Sequence, residues 1–506
     1  MLPPHPDGVE LEGNLLLQGP EAAAAAHVAR ATGLGFFSWL DDNTILAICK
    51  CAEPNTLGVL SAVSDAFSAF AAFEEHWRMH CLKLNACAPL CFCGSWKSTF
   101  VALLMQGDRG ANAKLPSRHI RRKPGVSIFS DVLYMPHQLT HGSNHFGRAP
   151  RGPLVTRISA EHVVRDLAAF ADEFESGAGK PAILVGLGVG GSTSVGSSSS
   201  VWDEACLRRT LGDRVFHAGG VNFKLSDYLD YAKHNTDDQP LYLFDPTFGS
   251  SAPELLEGYE APVCFRDDLF SLLEDRPDYR WLLLGGARSG QTWHKDPNGT
   301  SAWNLTLRGR KRWLFFPPHV TPPGVFPAAN GGPGDYVTPL ALAEWARDFY
   351  GEALKTPGFV ESESGPGDVT FVPRGWWHMV LNVAPLTVAV SHHFLSPAGL
   401  HTTLRLLRET PEQVSGIDRG LARDAERAAT NSGMPQETDD HIRRSTAGTA
   451  LHDRLVTALK EKRPAALEAA ERLLAEEDSR RVAWPQFALK KIVTPEDGSG
   501  SFSFSF

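Results

Sequence analysis

The stretch QTWHKDPNGTSAWNLTLRGRKRWLFF, from Gln291 to Phe316, places a histidine and an aspartate two residues apart and follows them with a basic cluster. The histidine is His294 and the aspartate is Asp296. In a strand, residues i and i+2 project from the same face, so this imidazole and this carboxylate can reach one divalent ion together. An isolated pair of this kind is common, so a metal site needs a third ligand from elsewhere in the chain.

The segment FVPRGWWHMVLNV, which begins at Phe371, offers that third ligand as His378, at the start of another strand after a glycine turn. Two histidines and one carboxylate on one side of an ion leave the opposite positions open. This arrangement is the facial triad of non-haem iron(II) oxygenases. We therefore expect His294, Asp296 and His378 to be the catalytic metal ligands, with Fe(II) as the metal.

The basic cluster contains one residue whose side chain points in a different direction from its neighbours. Lys311 alternates with three arginines along the strand and so projects from the opposite face. We expect the arginines to be solvated at the surface and Lys311 to face the interior, where its ammonium suits a buried carboxylate such as that of 2-oxoglutarate. The three arginines are Arg308, Arg310 and Arg312.

The surrounding sequence predicts an α+β fold with a β-barrel. From Leu241 to Phe394, short apolar runs alternate with Gly and Pro turns, which is typical of a barrel or sandwich. A helix is expected at Pro339–Leu354 within this region, and another at Ile158–Gly177 with Ser159 as its N-cap. The segment PAILVGL, which begins at Pro181, is expected to be a buried strand.

Bulk composition excludes several classes of protein. The chain has 506 residues, 42% of them hydrophobic, which predicts several domains with large cores. The net charge of -9 argues against strong nucleic-acid binding and suits a basic protein partner. The N-terminus MLPPHPDGVE lacks the basic and apolar parts of a signal peptide, and no apolar run is long enough to span a membrane. We expect an intracellular protein, nuclear or cytoplasmic.

Two segments imitate sites of other kinds. The cysteine cluster from His80 to Cys93 does not repeat the paired CxxC spacing of zinc sites, so its cysteines are expected to be buried or reactive thiols. The run GLGVGGSTSVGSSSS, which begins at Gly186, imitates a dinucleotide-binding loop. It is followed by a serine-rich stretch and not by an amphipathic helix, so a flexible insertion is expected at residues 188–200.

The N-terminal region has apolar residues at helical spacing from Phe36 to Trp77. Asp41 and Asn55 are the expected N-caps. The pattern resembles an F-box, with Asp41 in place of the proline usual after the first leucine, and it implies docking to a Skp-type adaptor of a cullin ubiquitin ligase. A helical subdomain without such a partner is the alternative. The expected core positions are Ile45, Ile48, Leu57, Leu60, Val63, Phe67 and Phe70.

The segments YRWLLLGGARSGQTWHKDPNGTSAWNLTLRGRKRWLFFPP and GDVTFVPRGWWHMVLN together resemble the JmjC family. The likeness is to the branch that includes the phosphatidylserine-receptor-like lysyl hydroxylases, and it covers residues 155–396. It implies a double-stranded β-helix, which is a cupin-like barrel. It also implies iron bound by His294, Asp296 and His378, with 2-oxoglutarate and O2 as cosubstrates.

The same resemblance assigns roles to polar residues of the barrel. Lys311 matches the residue that binds the C5 carboxylate of 2-oxoglutarate, and Asn304 matches an asparagine that faces the cosubstrate. Ser391 falls where the branch has a threonine hydroxyl, whereas Gln291 replaces another threonine, so that contact is not carried over. Asn382 is expected to support the metal ligands without binding the metal itself. His392 and His393 are expected to be satisfied or exposed histidines and not ligands.

These observations predict a division of the chain and a function. The function is that of an Fe(II)- and 2-oxoglutarate-dependent dioxygenase acting on proteins, as a lysyl-type hydroxylase. The alternatives are an N-methyl demethylase, an F-box substrate receptor with a non-catalytic barrel, and a cupin isomerase or metal-binding module. The expected units are an F-box-like helical unit at 34–80, a linking region at 81–153, a JmjC domain at 154–398, a C-terminal helical region at 399–490 and a disordered tail at 491–506.

Overall fold

The computed structural model describes most of the chain. It covers residues 9–13, 19–84, 89–109, 126–142, 149–186, 201–328, 336–338, 340–417 and 436–492. The Gly/Ser-rich insertion predicted at 188–200 and nearly all of the predicted tail lie outside the described residues. In the part of the chain that is described, none of the helices combines the length and the apolar character needed to cross a membrane.

The helices flank the barrel on both sides in sequence. The region from Phe36 to Trp77, where apolar residues recur at helical spacing, is largely helical. In chain order they are α1 (Pro20–Leu34), α2 (Asp42–Cys51), α3 (Pro54–Val63), α4 (Asp65–Ala71), α5 (Glu74–Leu84), α6 (Trp96–Arg109), α7 (Asp131–Gly142), α8 (Ala160–Arg165), α9 (Leu167–Phe170), α10 (Glu204–Leu211), α11 (Leu225–His234), α12 (Phe248–Ser251), α13 (Leu342–Asp348), α14 (Tyr350–Ala353), α15 (Leu400–Glu409), α16 (Gln436–Lys462) and α17 (Pro464–Ile492).

The strands concentrate in the middle of the chain, where the sequence alternates apolar runs with turns. In chain order they are β1 (Val9–Glu12), β2 (Val126–Phe129), β3 (Thr156–Ser159), β4 (Ala182–Val185), β5 (Val215–Ala218), β6 (Val221–Lys224), β7 (Leu243–Asp245), β8 (Arg280–Gly285), β9 (Gly290–His294), β10 (Ser301–Arg308), β11 (Lys311–Phe316), β12 (Phe326–Pro327), β13 (Tyr336–Val337), β14 (Val360–Ser364), β15 (Val369–Val372), β16 (Trp377–Asn382) and β17 (Thr387–Phe394).

Two sheets form the barrel. The larger has nine strands in the order β3-β4-β15-β10-β17-β8-β7-β5-β6, and the smaller has four in the order β14-β11-β16-β9. Residues of both sheets line one cavity. Along β10, Ala302 and Asn304 line this cavity while Trp303 and Leu305 pack into the outer core, as strand alternation requires. The predicted α+β fold with a cupin-like barrel is confirmed.

The expectation that Arg312 is solvated was wrong. Arg312 does project away from the cavity, but α13 and α14 cover that outer face of the small sheet, and its side chain is only 2% exposed. Its guanidinium lies 2.7 Å from the Glu361 carboxylate and 3.1 Å from that of Glu363. Tyr350 of α14 also donates a hydrogen bond to Glu361. Arg310, by contrast, is 60% exposed, as expected.

Arg312→Ala is expected to lower the free energy of unfolding by about 3–5 kcal/mol, because it leaves the fully buried carboxylate of Glu361 without its cation. The matched control is Arg310→Ala, which removes an exposed arginine from the same strand end and should change stability by less than about 1 kcal/mol. Urea denaturation of both variants measures the difference. Equal losses in the two variants would show that the buried ion pair does not stabilise this face.

The N-terminal caps are partly as predicted. Asp41 caps α2, where its carboxylate accepts a hydrogen bond from the amide of Thr44 at 2.9 Å. Asn55 is not a cap. The helix α3 begins at Pro54, the residue before Asn55, because proline is favoured at the first helical position. Glu53 therefore holds the N-cap position.

The core of the N-terminal unit is narrower than the apolar pattern predicts. Ile45, Leu57 and Phe70 are buried, as expected. Ile48 and Val63 were also expected in the core but are 44% and 62% exposed. Short helices bury a narrow stripe, and these two positions lie outside it.

A buried polar cluster joins the N-terminal helices to the barrel domain. The indole of Trp96, the first residue of α6, donates a hydrogen bond to the carboxylate of Asp237 at 2.7 Å. The hydroxyl of Tyr231, on α11, donates to the same carboxylate at 2.5 Å. Burial raises the pKa of Asp237. Apolar residues of both regions belong to one continuous core, so the two units pack as one body.

Two predicted helices are interrupted. The helix expected at Ile158–Gly177 is divided, since β3 runs to Ser159 and a second N-cap, Asp166, starts α9. Ser159 caps α8, as predicted, by accepting a hydrogen bond from the amide of His162. The helix expected at Pro339–Leu354 is likewise two short helices, α13 and α14. The strand predicted in PAILVGL is β4.

Candidate metal and cosubstrate site

The barrel brings His294, Asp296 and His378 together. His294 ends β9, and His378 lies directly opposite it on β16, with the two ring centroids 4.0 Å apart. Asp296 lies in the turn just after β9, and one of its carboxylate oxygens is 3.6 Å from Nε2 of His378. One potential ligand atom from each residue lies within 4.8 Å of the other two.

Backbone hydrogen bonds orient both imidazoles. Nδ1 of His294 lies 2.7 Å from the carbonyl oxygen of Thr292, and Nδ1 of His378 lies 3.2 Å from that of Trp376. A carbonyl oxygen only accepts hydrogen bonds, so each Nδ1 carries the proton in these contacts. Each Nε2 is therefore left with a lone pair, which is the form in which histidine binds a metal.

The protonation states of the three residues also suit a metal. Burial lowers the pKa of His294 to about 3 and lowers that of His378. Burial alone would raise the pKa of Asp296, but the neighbouring His393 and His378 outweigh it, so that this pKa lies below its usual range. At neutral pH the cluster thus presents two neutral imidazoles and one carboxylate.

The donor set fits iron(II). Oδ2 of Asp296 is buried and has no hydrogen-bond partner within the described residues. Burying an unpaired carboxylate oxygen is energetically unfavourable, and a bound divalent cation would remove this penalty. Two histidine nitrogens and one carboxylate oxygen facing a cavity of about 430 Å³ match the two-histidine, one-carboxylate triad. The residues that would hold the metal are therefore His294, Asp296 and His378.

Lys311 lines the same cavity. It is 1% exposed, and its ammonium donates a hydrogen bond to the hydroxyl of Tyr242 at 3.0 Å. No acidic group among the described residues offsets this burial, which lowers the pKa of Lys311 to about 7. A carboxylate bound beside it would supply the missing charge, so this end of the cavity fits the distal carboxylate of 2-oxoglutarate.

The other predicted cosubstrate residues also line the cavity. Asn304 is 2% exposed, and its Oδ1 has no hydrogen-bond partner in the described part of the chain. Ser391 lies opposite Asn304 in the β10–β17 pairing and donates to the carbonyl oxygen of Trp303 at 3.3 Å. Gln291, for which no contact was carried over, lines the cavity as well.

Tyr242 was missed by the sequence analysis, which interpreted its segment only as a strand. The alternation of Tyr242 and Phe244 on one face, both of which line the cavity, was the signal available. Asn382 lies opposite Lys311 in the β11–β16 pairing and donates to the hydroxyl of Ser289 at 2.9 Å. Tyr242 thus contacts the ammonium group of Lys311 directly, whereas Asn382 lies beside Lys311 on the neighbouring strand.

The adjacent histidines of β17 differ from each other. His392 stacks on Trp303 with ring centroids 4.2 Å apart and lies 2.9 Å from the hydroxyl of Tyr259, so its polar group is satisfied. His393 projects from the opposite face, lines the cavity and places Nε2 3.2 Å from Oδ1 of Asp296.

The cysteine cluster does not form a metal site among the described residues. In that part of the chain, the one group of side chains close enough together to bind a metal consists of His294, Asp296 and His378. Cys81 is a buried free thiol, whereas Cys91 is exposed and Cys93 is half-buried. Cys87 lies outside the described residues.

Comparison with known proteins agrees with this geometry. The sequence profile of the cupin-like domain family matches residues 209–399. The chain is 34% identical to the arginine-specific demethylase JMJ22 of Arabidopsis thaliana over 445 residues, which are 86% of this chain and 82% of that protein.

Two further relatives match shorter regions. The bifunctional arginine demethylase and lysyl-hydroxylase psr-1 of Caenorhabditis elegans is 35% identical over 44% of this chain and 57% of its own length. The human 2-oxoglutarate and iron-dependent oxygenase JMJD4 is 28% identical over 40% of this chain and 52% of its own length. The long match to the first relative, together with the barrel and its His-Asp-His cluster, shows that the chain belongs to the JmjC family of iron(II)- and 2-oxoglutarate-dependent oxygenases.

Proposed function

We propose that this oxygenase hydroxylates a lysyl-type side chain of a basic protein. The proposal rests on the composition of the cavity lining near the metal cluster, which combines acidic and aromatic groups. Phe244 stacks on Trp281 with ring centroids 5.5 Å apart, and both line the cavity. Asp278 lines it as well and is exposed. Aromatic faces and a carboxylate attract a cationic side chain.

Each residue of the proposed site has a distinct task. When bound, iron and 2-oxoglutarate supply the oxidising chemistry, in which O2 provides one oxygen atom to the substrate C–H bond and the other to succinate, with release of CO2. Lys311 and Tyr242 would hold the distal carboxylate of the cosubstrate, because the buried ammonium group lacks an acidic partner. His294, Asp296 and His378 would hold the metal. Trp281 and Trp313 provide apolar walls that exclude water from the reacting atoms.

The net charge of -9 supports a basic partner, because long-range attraction raises the rate at which oppositely charged proteins meet. Among the relatives, psr-1 is named both as a lysyl-hydroxylase and as an arginine demethylase. Arginine demethylation is the second candidate, and the match to JMJ22, which extends over 82% of that demethylase, favours it. Both reactions use the same metal ligands.

The product formed on basic peptides decides between the two. With unmethylated lysine peptides, Fe(II), 2-oxoglutarate and O2, we expect mass spectrometry to show the gain of one oxygen atom on a lysine. Peptides with arginine in place of lysine serve as the matched control. Loss of a methyl group from methylarginine peptides with release of formaldehyde, and no product on lysine peptides, would establish demethylation instead.

We further propose that the N-terminal helices dock a Skp-type adaptor of a cullin ubiquitin ligase. The F-box-like pattern motivates this, and large apolar side chains of this region support it because they are exposed to solvent. Phe36 and Trp39 are 82% and 71% exposed, and Val59 on α3 is 65% exposed. Contiguous exposed apolar side chains mark surfaces that bind another protein, and the rings of Phe36 and Trp39 lie together with centroids 6.3 Å apart.

Trp39→Glu and Val59→Glu are expected to weaken binding of a purified Skp-type adaptor by about tenfold or more, because each places a charge in an apolar interface. Surface substitutions are preferable to deletion of the unit, whose core is shared with the barrel domain. Leu154→Glu, at a position 64% exposed near the barrel, is the control and should bind normally. Absence of adaptor binding by the unmodified chain would leave the unit as a structural subdomain.

A further inference from the structure

The side chain of His393 lies beside the metal cluster, although no role at the metal was expected for it. Its Nε2 is 3.2 Å from Oδ1 of Asp296, and its side chain is 12% exposed. Because β17 alternates, His392 points to the opposite face and packs on Trp303. The neighbouring histidines therefore have different surroundings, and only His393 contacts the aspartate of the cluster.

Asp296 needs an external contact to fix its orientation. It lies beyond the last residue of β9, so no strand pairing holds its backbone. The chain then turns sharply through Asn298, whose φ of 59° is positive. Oδ2 of Asp296 has no hydrogen-bond partner in the described residues. The carboxylate could thus rotate about its side-chain bonds if Oδ1 were not held.

His393 is itself held in place. Its backbone amide donates to the carbonyl oxygen of Tyr279 at 2.7 Å. Its ring packs on Trp281 with centroids 4.3 Å apart. It belongs to β17, which pairs with β10 on one side and with β8 on the other. Because the imidazole of His393 is held in this way, a hydrogen bond from it can fix the orientation of the Asp296 carboxylate.

The chemistry of the contact determines the direction of the hydrogen bond. An ionised carboxylate only accepts hydrogen bonds. Nε2 of His393 therefore carries a proton and donates a hydrogen bond to Oδ1 of Asp296. A nitrogen that donates in this way has no lone pair for a metal, so His393 does not act as a fourth ligand through Nε2.

We propose that His393 is a positioning residue that holds the Asp296 carboxylate in the orientation in which it faces His294 and His378. The proposal rests on the proposed metal site. Groups that orient a metal ligand in this way contribute substantially to metal affinity, and their loss typically weakens it about 10- to 100-fold.

Binding of Mn(II), an air-stable substitute for Fe(II), to the full chain tests the proposal. His393→Leu, which keeps apolar bulk but has no donor, should weaken Mn(II) binding about 10- to 100-fold by titration calorimetry. His393→Gln, whose side-chain amide can donate to the same oxygen, should restore binding to within about threefold of the unmodified chain, about 0.7 kcal/mol. His392→Leu is the matched control and should bind Mn(II) normally.

A double-mutant cycle separates the hydrogen bond from a general effect on folding. In an Asp296→Ala background, His393→Leu should weaken the residual Mn(II) binding no further, because the acceptor is absent. The visible absorption spectrum of the Co(II)-loaded chain should change in His393→Leu and not in His392→Leu.

The outcomes distinguish this proposal from the one on which it rests. Failure of the unmodified chain to bind Mn(II) would overturn the metal site and the role of His393 together. Normal Mn(II) binding by the unmodified chain with undiminished affinity in His393→Leu would overturn the role of His393 alone. Equal weakening in His393→Gln and His393→Leu would also overturn it, since ring packing and not the hydrogen bond would then be responsible.

Discussion

Replacement of His294, Asp296 or His378 by alanine is expected to reduce 2-oxoglutarate-dependent succinate formation by about a thousandfold or more. A bound catalytic metal contributes several kcal/mol to the stabilisation of the transition state, and each 1.36 kcal/mol corresponds to about a factor of ten in rate. The three residues offer the one set of clustered metal-binding atoms in the described part of the chain, so the loss of any one of them leaves an incomplete set of ligands. Succinate assays and the metal content of each purified variant measure the effect.

A control must show that the loss is specific to the cluster. His319 is exposed in the turn just after β11, and His319→Ala should leave turnover unchanged. Circular dichroism should show an intact barrel in all four variants. Undiminished succinate formation in any one of the cluster variants would remove that residue from the metal site.

Lys311→Ala is expected to raise the KM for 2-oxoglutarate about 100-fold, with a smaller change in kcat. A carboxylate buried beside Tyr242 would lose its cation, and truncating one partner of a buried charge pair costs about 2–5 kcal/mol. Initial-rate assays over a range of 2-oxoglutarate concentrations, together with calorimetric binding of the cosubstrate to the Mn(II)-loaded chain, measure the effect.

Two further variants make the Lys311 result specific. Lys311→Met keeps most of the side-chain volume and should behave like Lys311→Ala, because the charge and not the packing is at issue. Arg310→Ala removes an exposed cation next to it in sequence and should leave the KM unchanged. Arg312→Ala is unsuitable as a control because it disrupts a buried ion pair. A normal KM in Lys311→Met would exclude the lysine from the cosubstrate site.

The barrel could be predicted because its strands have a strong local signal. Runs such as SAWNLTLRG and LTVAVSHHF combine β-branched and aromatic residues with flanking turns, and both are strands in the structure. The strand β14, by contrast, has the sequence VESES, and its polar composition gives no such signal. Glu361 is buried there beside Arg312 of the neighbouring strand, which neutralises its charge, and Tyr350 donates a further hydrogen bond to it. Such a pair depends on tertiary contacts that are invisible in a local pattern.

The same distinction applies to the site. Alternation along β11 correctly places Lys311 and Arg312 on opposite faces, but periodicity alone could not reveal that α13 and α14 cover the outer face. Tyr242, just before β7, and His393, on β17, reach the site because long-range pairing sets the register of these two strands. The metal-ligand spacing is local for His294 and Asp296, whereas the pairing of β16 with β9 brings His378 to them.

The cluster of Trp96, Tyr231 and Asp237 has a consequence for any substrate brought by a partner. Because the N-terminal helices and the barrel share one core, a protein that bound those helices would be held at a set distance and angle from the cavity. A flexible tether would give a broad distribution of distances and a moderate effective concentration of substrate. A rigid attachment would instead present to the cavity only those side chains that lie at a particular distance from the bound partner's contact surface. The distance between the two sites would then discriminate between side chains that the cavity itself accepts equally.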